Sequence, residues 1–506
     1  MVQRSGLDII FLLIFYGSLL FSCSSGADEG NSSSSTEMFT LPQFTDVANE
    51  VGIKDTTVLG QSASWVDFNN DGFLDLIITN TDIISRRPRN VLLFRNNGDG
   101  TFSDITNGSG IVNQAIRSTA WADFNNDGLV DLIVGTARGS APPVLYKNLD
   151  GSRLFDVTKN AGVTKEGGVS QATWVDYDRD GLVDFLQAKP KTSYLYRNKG
   201  DGTFTEVSED PTLGQSSLTN AAVWFDSNND GFQDLFLANR GFNRFYINRN
   251  GKFTDATESA GLAGDPSWRS VAACAGDYDN DGLLDLYVGN IGSSRNALYR
   301  NKGDGTFVDV TIETGTQDVG DARTCSWIDF DADGKIDILT TNHLSPTKLF
   351  RNLGNGKFVD VAPQVGLDKP IDVFSATWGD YNADGFVDVF LNGHLGKALM
   401  KNSGNNANYL VLKLIGNGVD TNTSAIGARV ELNTSRGIQI REVSGGRGCC
   451  EQDMLPLHFG LGNEKKVDIL VKWTGGQQCS FKEVKVEGGR MLRISENGCN
   501  IEDLGV

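Results

Sequence analysis

A unit of about fifty residues recurs seven times between Phe44 and Asn402, and nothing else in this chain narrows its fold as far. Each copy opens on an aromatic strand start, as in Phe44-Thr45-Asp46-Val47, Phe102-Ser103-Asp104-Ile105 and Phe307-Val308-Asp309-Val310. A second strand leads into an acidic loop, with Trp two residues before the first Asp in six copies: Trp65, Trp121, Trp174, Trp224, Trp327 and Trp378, with Ala275 in the other. A short apolar run such as Leu76-Ile77-Ile78 leaves the loop, and a last strand ends in aromatic-basic-Asn, as in Phe94-Arg95-Asn96 and Tyr146-Lys147-Asn148. Asp-Gly turns such as Asp99-Gly100 then reverse the chain. Four short strands per unit predict an all-β chain folded as a seven-bladed β-propeller. No Phe-x-Asp strand follows Met400-Lys401-Asn402, so the strand at Phe44 is expected to complete the seventh blade and join the two ends of the ring. A parallel β-helix fits less well, because its turns use shorter repeats.

The loops share the pattern Asp-x-Asp/Asn-x-Asp-Gly-x-x-Asp. Their oxygen side chains at positions 1, 3, 5 and 9 are Asp67, Asn69, Asp71, Asp75; Asp123, Asn125, Asp127, Asp131; Asp176, Asp178, Asp180, Asp184; and Asp226, Asn228, Asp230, Asp234. The remaining sets are Asp277, Asp279, Asp281, Asp285; Asp329, Asp331, Asp333, Asp337; and Asp380, Asn382, Asp384, Asp388. A chain wound tightly around a hard cation presents oxygens at this spacing, and the position-7 carbonyls of Phe73, Leu129, Leu182, Phe232, Leu283, Lys335 and Phe386 can add another. Gly at position 6, from Gly72 to Gly385, permits the sharp turn. Oxygen-only ligands favour calcium over zinc or copper, so up to seven Ca2+ ions are expected. These are not EF-hands: position 12, where an EF-hand has Glu, holds Ile78, Val134, Gln187, Leu237, Val288, Thr340 or Leu391.

Acids outnumber bases, 64 to 45, for a net charge of -19, which repels phosphate backbones and anionic lipid. Nucleic acid is therefore not an expected partner. Arg4 precedes an apolar stretch from Ile9 to Phe21, shorter than the roughly 18 residues that span a bilayer and suited to a signal peptide over residues 1–23. Leu20-Phe21-Ser22-Cys23 resembles a bacterial lipobox, and lipidation at Cys23 and ordinary cleavage both stay open. Either route takes the chain out of the cytosol, secreted or at the cell surface, with a Ser-rich linker over 24–40. Without Cys23 six cysteines remain: Cys274 and Cys325 at near-equivalent places in neighbouring repeats, where they could staple two blades, and Cys449, Cys450, Cys479 and Cys499, enough for two further bridges. Sequons stand at Asn31, Asn107, Asn422 and Asn433.

The repeats resemble the FG-GAP/VCBS family, whose calcium-loop propellers include the head of integrin α chains; the resemblance covers Phe44 to Asn402 and sets the propeller at 41–405. Residues 406–497 look like the ASPIC/UnbV domain of the cartilage acidic protein-like family, through Tyr409-Leu410-Val411-Leu412-Lys413-Leu414, Ala425-Ile426-Gly427-Ala428-Arg429-Val430 and Leu457-His458-Phe459-Gly460-Leu461-Gly462. Alternating apolar residues there independently predict a small β domain, followed by a tail over 498–506. That family has a Ser-Gly-Gly-aromatic stretch where this chain has Ser444-Gly445-Gly446-Arg447-Gly448-Cys449-Cys450, so a surface used there is expected to differ.

The resemblance implies extracellular calcium binding, and the fold suggests a binding or adhesion scaffold for a protein or glycan, not an enzyme. The alternative is a calcium-dependent polysaccharide lyase or hydrolase. Against it stand the scarcity of His, only His343, His394 and His458, and the lack of any Ser-His-Asp, metalloprotease or Walker signature. His343 and His394 are read as blade-loop surface in preference to a shared site, and His458 as a packed motif residue. Arg95, Lys147, Arg197, Arg300 and Arg351 are expected to shield acids across blades, with a ring of cations for an anionic glycan as the alternative.

Overall fold

In the computed structural model, residues 40–53, 60–81, 88–112, 115–136, 141–165, 167–168, 170–208, 213, 218–292, 294–368 and 372–505 are described. The proposed signal peptide, lipobox and most of the linker, with the Asn31 sequon, lie outside them.

Seven four-stranded antiparallel sheets form the repeat region. Blade one runs Gly60–Val66, Asp75–Thr81, Pro88–Asn96 and Phe102–Asp104. The first strands of blades two to seven are Ile116–Ala122, Gln171–Val175, Leu218–Phe225, Ser270–Gly276, Asp321–Ile328 and Val373–Gly379. Each first strand touches those of both neighbouring blades, including blade one against blade seven, so the ring is closed. The closure is the expected one: Phe44–Asp46 pairs with Lys397–Asn402 as the outer strand of blade seven, Phe44 opposite Asn402.

Strands in this arrangement are covered on both faces, which is why they read as nearly continuous apolar runs. Apolar clusters lie between blades: Ile77 and Leu93 of blade one pack with Trp121, Leu132 and Tyr146 of blade two, and Trp65 and Leu76 pack with Tyr381, Phe390 and Leu399 of blade seven. Five of the six repeated Trp, all but Trp224, also carry a polar link backwards around the ring. Each of these indole N–H groups donates to the preceding blade's first strand, as Trp65 does to the Thr377 carbonyl (3.1 Å), Trp121 to Ser64 Oγ (3.1 Å), Trp174 to the Ala120 carbonyl (3.0 Å) and Trp378 to Ser326 Oγ (2.9 Å).

The C-terminal residues form two more four-stranded sheets. One joins Asn408–Ile415 to Leu457–Gly462, Arg490–Ser495 and Asn500–Asp503; the other joins Arg429–Thr434 to Gly437–Glu442, Lys466–Lys472 and Gln478–Lys485. The segment expected to be a tail thus supplies a paired strand, Ile501 opposite Ile494. This domain shares an apolar cluster with blades two and three, in which Leu410, Ile426 and Trp473 join Phe124, Trp174 and Phe204.

The Ser444 to Cys450 stretch is not the surface the sequence suggested. With the residues up to Met454 it enters the axis of the propeller and bonds to the first strands of six blades. The Gly445 carbonyl accepts from Trp174 N (2.9 Å), Gly448 N donates to Ala273 O (3.2 Å), and the Cys450 carbonyl accepts from Ser62 Oγ (2.6 Å) and Thr119 N (3.3 Å). Gln452 exchanges both amide bonds with the Trp121 backbone (2.7 and 3.1 Å), and Asp453 Oδ1 accepts from Trp378 N (2.7 Å). Arg447 donates to the carbonyls of Cys325 (2.6 Å) and Ala376 (3.2 Å) and to Asp453 (2.5 and 2.6 Å). First strands leave their inner edges unpaired in a propeller, and this segment satisfies them. Gly445 is required by proximity, since a Cβ there would lie 2.2 Å from the Trp174 carbonyl oxygen.

The disulfide expectations need correction. Cys479 and Cys499 are bonded, whereas Cys274, Cys325, Cys449 and Cys450 carry free thiols. Asn422 is fully buried and donates to the Ile426 carbonyl (3.0 Å), so that sequon is closed to glycosylation in the folded chain. Asn107 and Asn433 are exposed.

Candidate metal centres

The acidic loops connect the first and second strands of every blade, which sets all seven on one face. Each is wound the same way. The position-1 Asp accepts the N–H of position 5, as in Asp71 N to Asp67 Oδ1 (2.9 Å), and the position-5 Asp accepts the N–H of position 7, as in Phe73 N to Asp71 Oδ1 (3.0 Å). The same two bonds recur in the six other loops. Position 6 has positive φ throughout, +93° at Gly72, where a side chain would strain the turn.

The position-9 Asp is held at both ends. Asp75 Oδ2 accepts Phe68 N (3.2 Å) from its own loop, and Oδ1 accepts Asn96 N (2.8 Å) from the third strand. All six counterparts repeat this clamp. The Asn of the aromatic-basic-Asn signature is the element whose role the sequence reading missed. Its side chain donates to its own loop and to the loop of the preceding blade, as Asn148 does to Val130 O (3.1 Å) and Phe68 O (2.7 Å). Recurrence at the end of every third strand was the available signal.

In the three loops with Asp at position 3, carboxylate oxygens converge. Donor atoms of Asp176, Asp178 and Asp184 lie within 4.8 Å of one another, and so do those of Asp277, Asp279 and Asp285 and of Asp329, Asp331 and Asp333. In each of these loops the position-3 Oδ1, of Asp178, Asp279 and Asp331, is buried without a hydrogen-bond partner. Burial, with repulsion from neighbouring acids, pushes Asp75 up to about 8, Asp176 and Asp277 to about 7, and Asp331 to about 6. Buried, crowded, incompletely partnered carboxylates fit a bound hard cation with oxygen ligands.

Lys147, Arg197, Arg300 and Arg351 of the third strands reach their own blade's loop, not across blades. Arg197 bridges Asp178 (2.7 Å) and Asp180 (2.9 Å), Arg300 bridges Asp279 (2.8 Å) and Asp281 (3.0 Å), and Arg351 bridges Asp331 (2.6 Å) and Asp333 (3.0 Å). Lys147 pairs with Asp127 (3.3 Å). Strand three is the neighbour of the strand leaving the loop, so the shortest reach is within the blade.

With the loops and blades in place, the FG-GAP-like repeat model matches residues 79–134, 176–237, 226–288, 277–340 and 329–391, together more than half of the chain. The chain belongs to the FG-GAP-like repeat family. Residues 418–500 match the ASPIC and UnbV model. Cartilage acidic protein 1 of Homo sapiens is 28% identical over 275 residues, which are 50% of this chain and 40% of that protein. Cartilage acidic protein 1 of Xenopus tropicalis is 36% identical over 121 residues, 23% of this chain and 18% of that protein. The chain thus spans less than half the length of either relative. A solved structure of an Agrocybe aegerita lectin recognising non-reducing terminal N-acetylglucosamine aligns with 69% of this chain and 89% of its own, at 19% identity and a TM-score of 0.42.

In this FG-GAP-like chain the C-terminal domain, from strand Asn408–Ile415 onward, covers the loop face, and it touches all seven loops. Lys413 pairs with Asp67 (3.2 Å), Thr423 Oγ1 donates to Asp123 Oδ2 (2.5 Å), and Arg179 of loop three donates to the Thr474 carbonyl. Glu442 accepts Asp226 N (3.3 Å), and Arg429 donates to Gly282 O (2.8 Å). Arg436 donates to Asp333 O (3.0 Å), and His458 Nε2 donates to Gly385 O (2.9 Å), which accounts for its burial as a packed motif residue. Between loop one and this domain lies a cleft of about 600 Å3 lined by Asp67, Phe73, Lys413, Met454 and Met491.

His343 ends the second strand of blade six and His394 follows that of blade seven, so both stand at blade loops, half-buried. They lie on the opposite face, where both approach Asp372.

Proposed function

We propose that the chain is a calcium-binding propeller working outside the cytosol as a scaffold that binds a protein or glycan. The carrying observation is the trio of buried, unpartnered oxygens on Asp178, Asp279 and Asp331, each beside further carboxylates of its own loop. Calcium, when bound, would supply the positive charge these acids lack. The side chains at positions 1, 3, 5 and 9 and the carbonyl at position 7 would hold it, in up to seven loops.

The cover on the loop face assigns that face a structural part: bound metal would stiffen the loops, and the stiffened loops would seat the C-terminal domain. A ligand then meets the other face, formed by the hairpins between second and third strands. Exposed apolar side chains stand there, Phe242 of blade four, Leu344 of blade six and Leu395 of blade seven, in the mixture of apolar and polar groups that recognition surfaces use. Nothing in the site geometry calls for bond-making chemistry, so binding is the reading preferred over sugar cleavage.

The test is elemental analysis of the purified chain after dialysis against calcium, paired with thermal melts in calcium and in EDTA. Several calcium ions per chain and a lower melting temperature in EDTA are expected. Absence of alkaline-earth metal together with identical melts would overturn the proposal.

A further inference from the structure

We infer that His343, Asp372 and His394 form a binding site for one divalent transition-metal cation of the zinc class, on the face opposite the acidic loops. One donor atom of each residue lies within 4.8 Å of the others. His343 Nδ1 is 2.6 Å from Asp372 Oδ1, and His394 Nδ1 is 3.3 Å from Asp372 Oδ2. Asp372 stands immediately before the first strand of blade seven, and its backbone and side chain fix both histidine-bearing turns. Its carbonyl accepts His394 N (3.0 Å), and its Oδ1 accepts Leu344 N (3.0 Å).

The surroundings suit a metal more than a structural knot. The His394 ring stacks on Phe374 at 3.9 Å between centroids, which holds the plane in which its Nδ1 faces Asp372. Arg323 stacks its guanidinium on Phe374 (4.5 Å), at the edge of the cluster. The seven blades solve their common structural tasks with the same Trp, Asp and Asn, yet of three histidines in the chain two occur here, in adjacent blades, and the third lies on the other face. Blade architecture alone therefore does not account for them.

Donor chemistry separates this site from the acidic loops. Two imidazoles and one carboxylate select borderline cations such as zinc, whereas all-oxygen sets select calcium. Three protein ligands also leave a coordination position open to water or to a donor from a bound partner. Leu344 and Leu395, 75% and 69% exposed, follow the two histidines directly, so a partner reaching the open position would meet apolar contacts beside it.

The test uses the full chain, stripped with EDTA and returned to excess calcium so that the acidic loops are saturated. Zinc is titrated by calorimetry, and cobalt(II) is followed by its visible d–d absorption. One zinc per chain is expected, with cobalt bands indicating nitrogen ligation, and binding weakened by about tenfold or more in H394A and in H343Q. H343Q alters a partly exposed side chain and so keeps the test open if H394A folds poorly. C449S/C450S should bind as the parent does. No zinc uptake in excess calcium, uptake unchanged in the histidine variants, or uptake lost in the cysteine variant would each overturn the assignment.

Discussion

The side-chain amide of Asn96 donates to the Tyr381 carbonyl over 2.7 Å, although 285 positions separate the two residues. The same amide donates to Leu74 O (3.1 Å), and Asn96 Oδ1 accepts Gly98 N (3.0 Å), so one residue ties the loops of the first and last blades together. With the Phe44 strand and the Trp65 indole, it forms the seam that closes the ring.

Replacing that amide leaves two buried carbonyls without a donor. Asn96→Ala is expected to lower unfolding free energy on the order of 3 kcal/mol, measured by urea denaturation. Asn248→Ala, which breaks the equivalent link from blade four to Tyr177 (2.8 Å), should cost a similar amount. A loss within error of zero in both would show that these amides do not hold the blades together.

Calcium dependence should vary with pH in a defined direction. Asp75, Asp176, Asp234, Asp277 and Asp380 are raised to between about 7 and about 8 by burial in the metal-free fold. A raised folded-state value means that the folded chain binds more protons than the unfolded one, so metal-free stability falls as pH rises from about 4 through about 8. Melts in EDTA should therefore worsen across this range, while melts in saturating calcium hold, and the gap between them should widen. A gap constant from pH 5 to 8 would contradict the electrostatic account.

The axial segment rests on Arg447, buried against Asp453 and two strand carbonyls. Arg447→Met should cost about 3–5 kcal/mol by leaving the buried Glu451 carboxylate (3.4 Å) and the half-buried Asp453 uncompensated, and adding Asp453→Asn should recover part of that loss. Denaturant midpoints of the single and double variants decide it; equal midpoints would refute the pairing.

Cys449 is lowered to about 6, first by the hydrogen bond to its neighbour Cys450, 3.0 Å away between sulfurs, then by Arg117 and Arg323, against the opposing effect of burial. Alkylation of native protein by iodoacetamide should modify Cys449 first, with a rate that rises through pH 6 instead of near 9, and Arg323→Gln should move the profile upward. Peptide mapping identifies the site, and preferential labelling of Cys274 would contradict the assignment.

Much of this molecule is written in local pattern. The spacing of Trp65, Asp67, Asp71 and Asp75, repeated in phase, is enough to specify blade, loop and ring closure, because each blade depends on the same short-range bonds. The third-strand Asn was visible as a signature without its purpose, since its second partner belongs to another blade. The reach of Arg197 and its counterparts was misjudged for a related reason: sequence spacing does not say which of two neighbouring loops lies nearer.

The chain's amino-acid order by itself determined the repeat, the acidic loops and the all-β class, since strand period, turn residues and ligand spacing act over a few positions at a time. Only the tertiary structure decided that the loop face lies beneath the C-terminal domain, that Ser444 to Met454 fills the axis, and that His343 and His394 share Asp372. Those outcomes follow from which surfaces meet once the ring has closed, and closure brings together groups whose proximity no local spacing encodes.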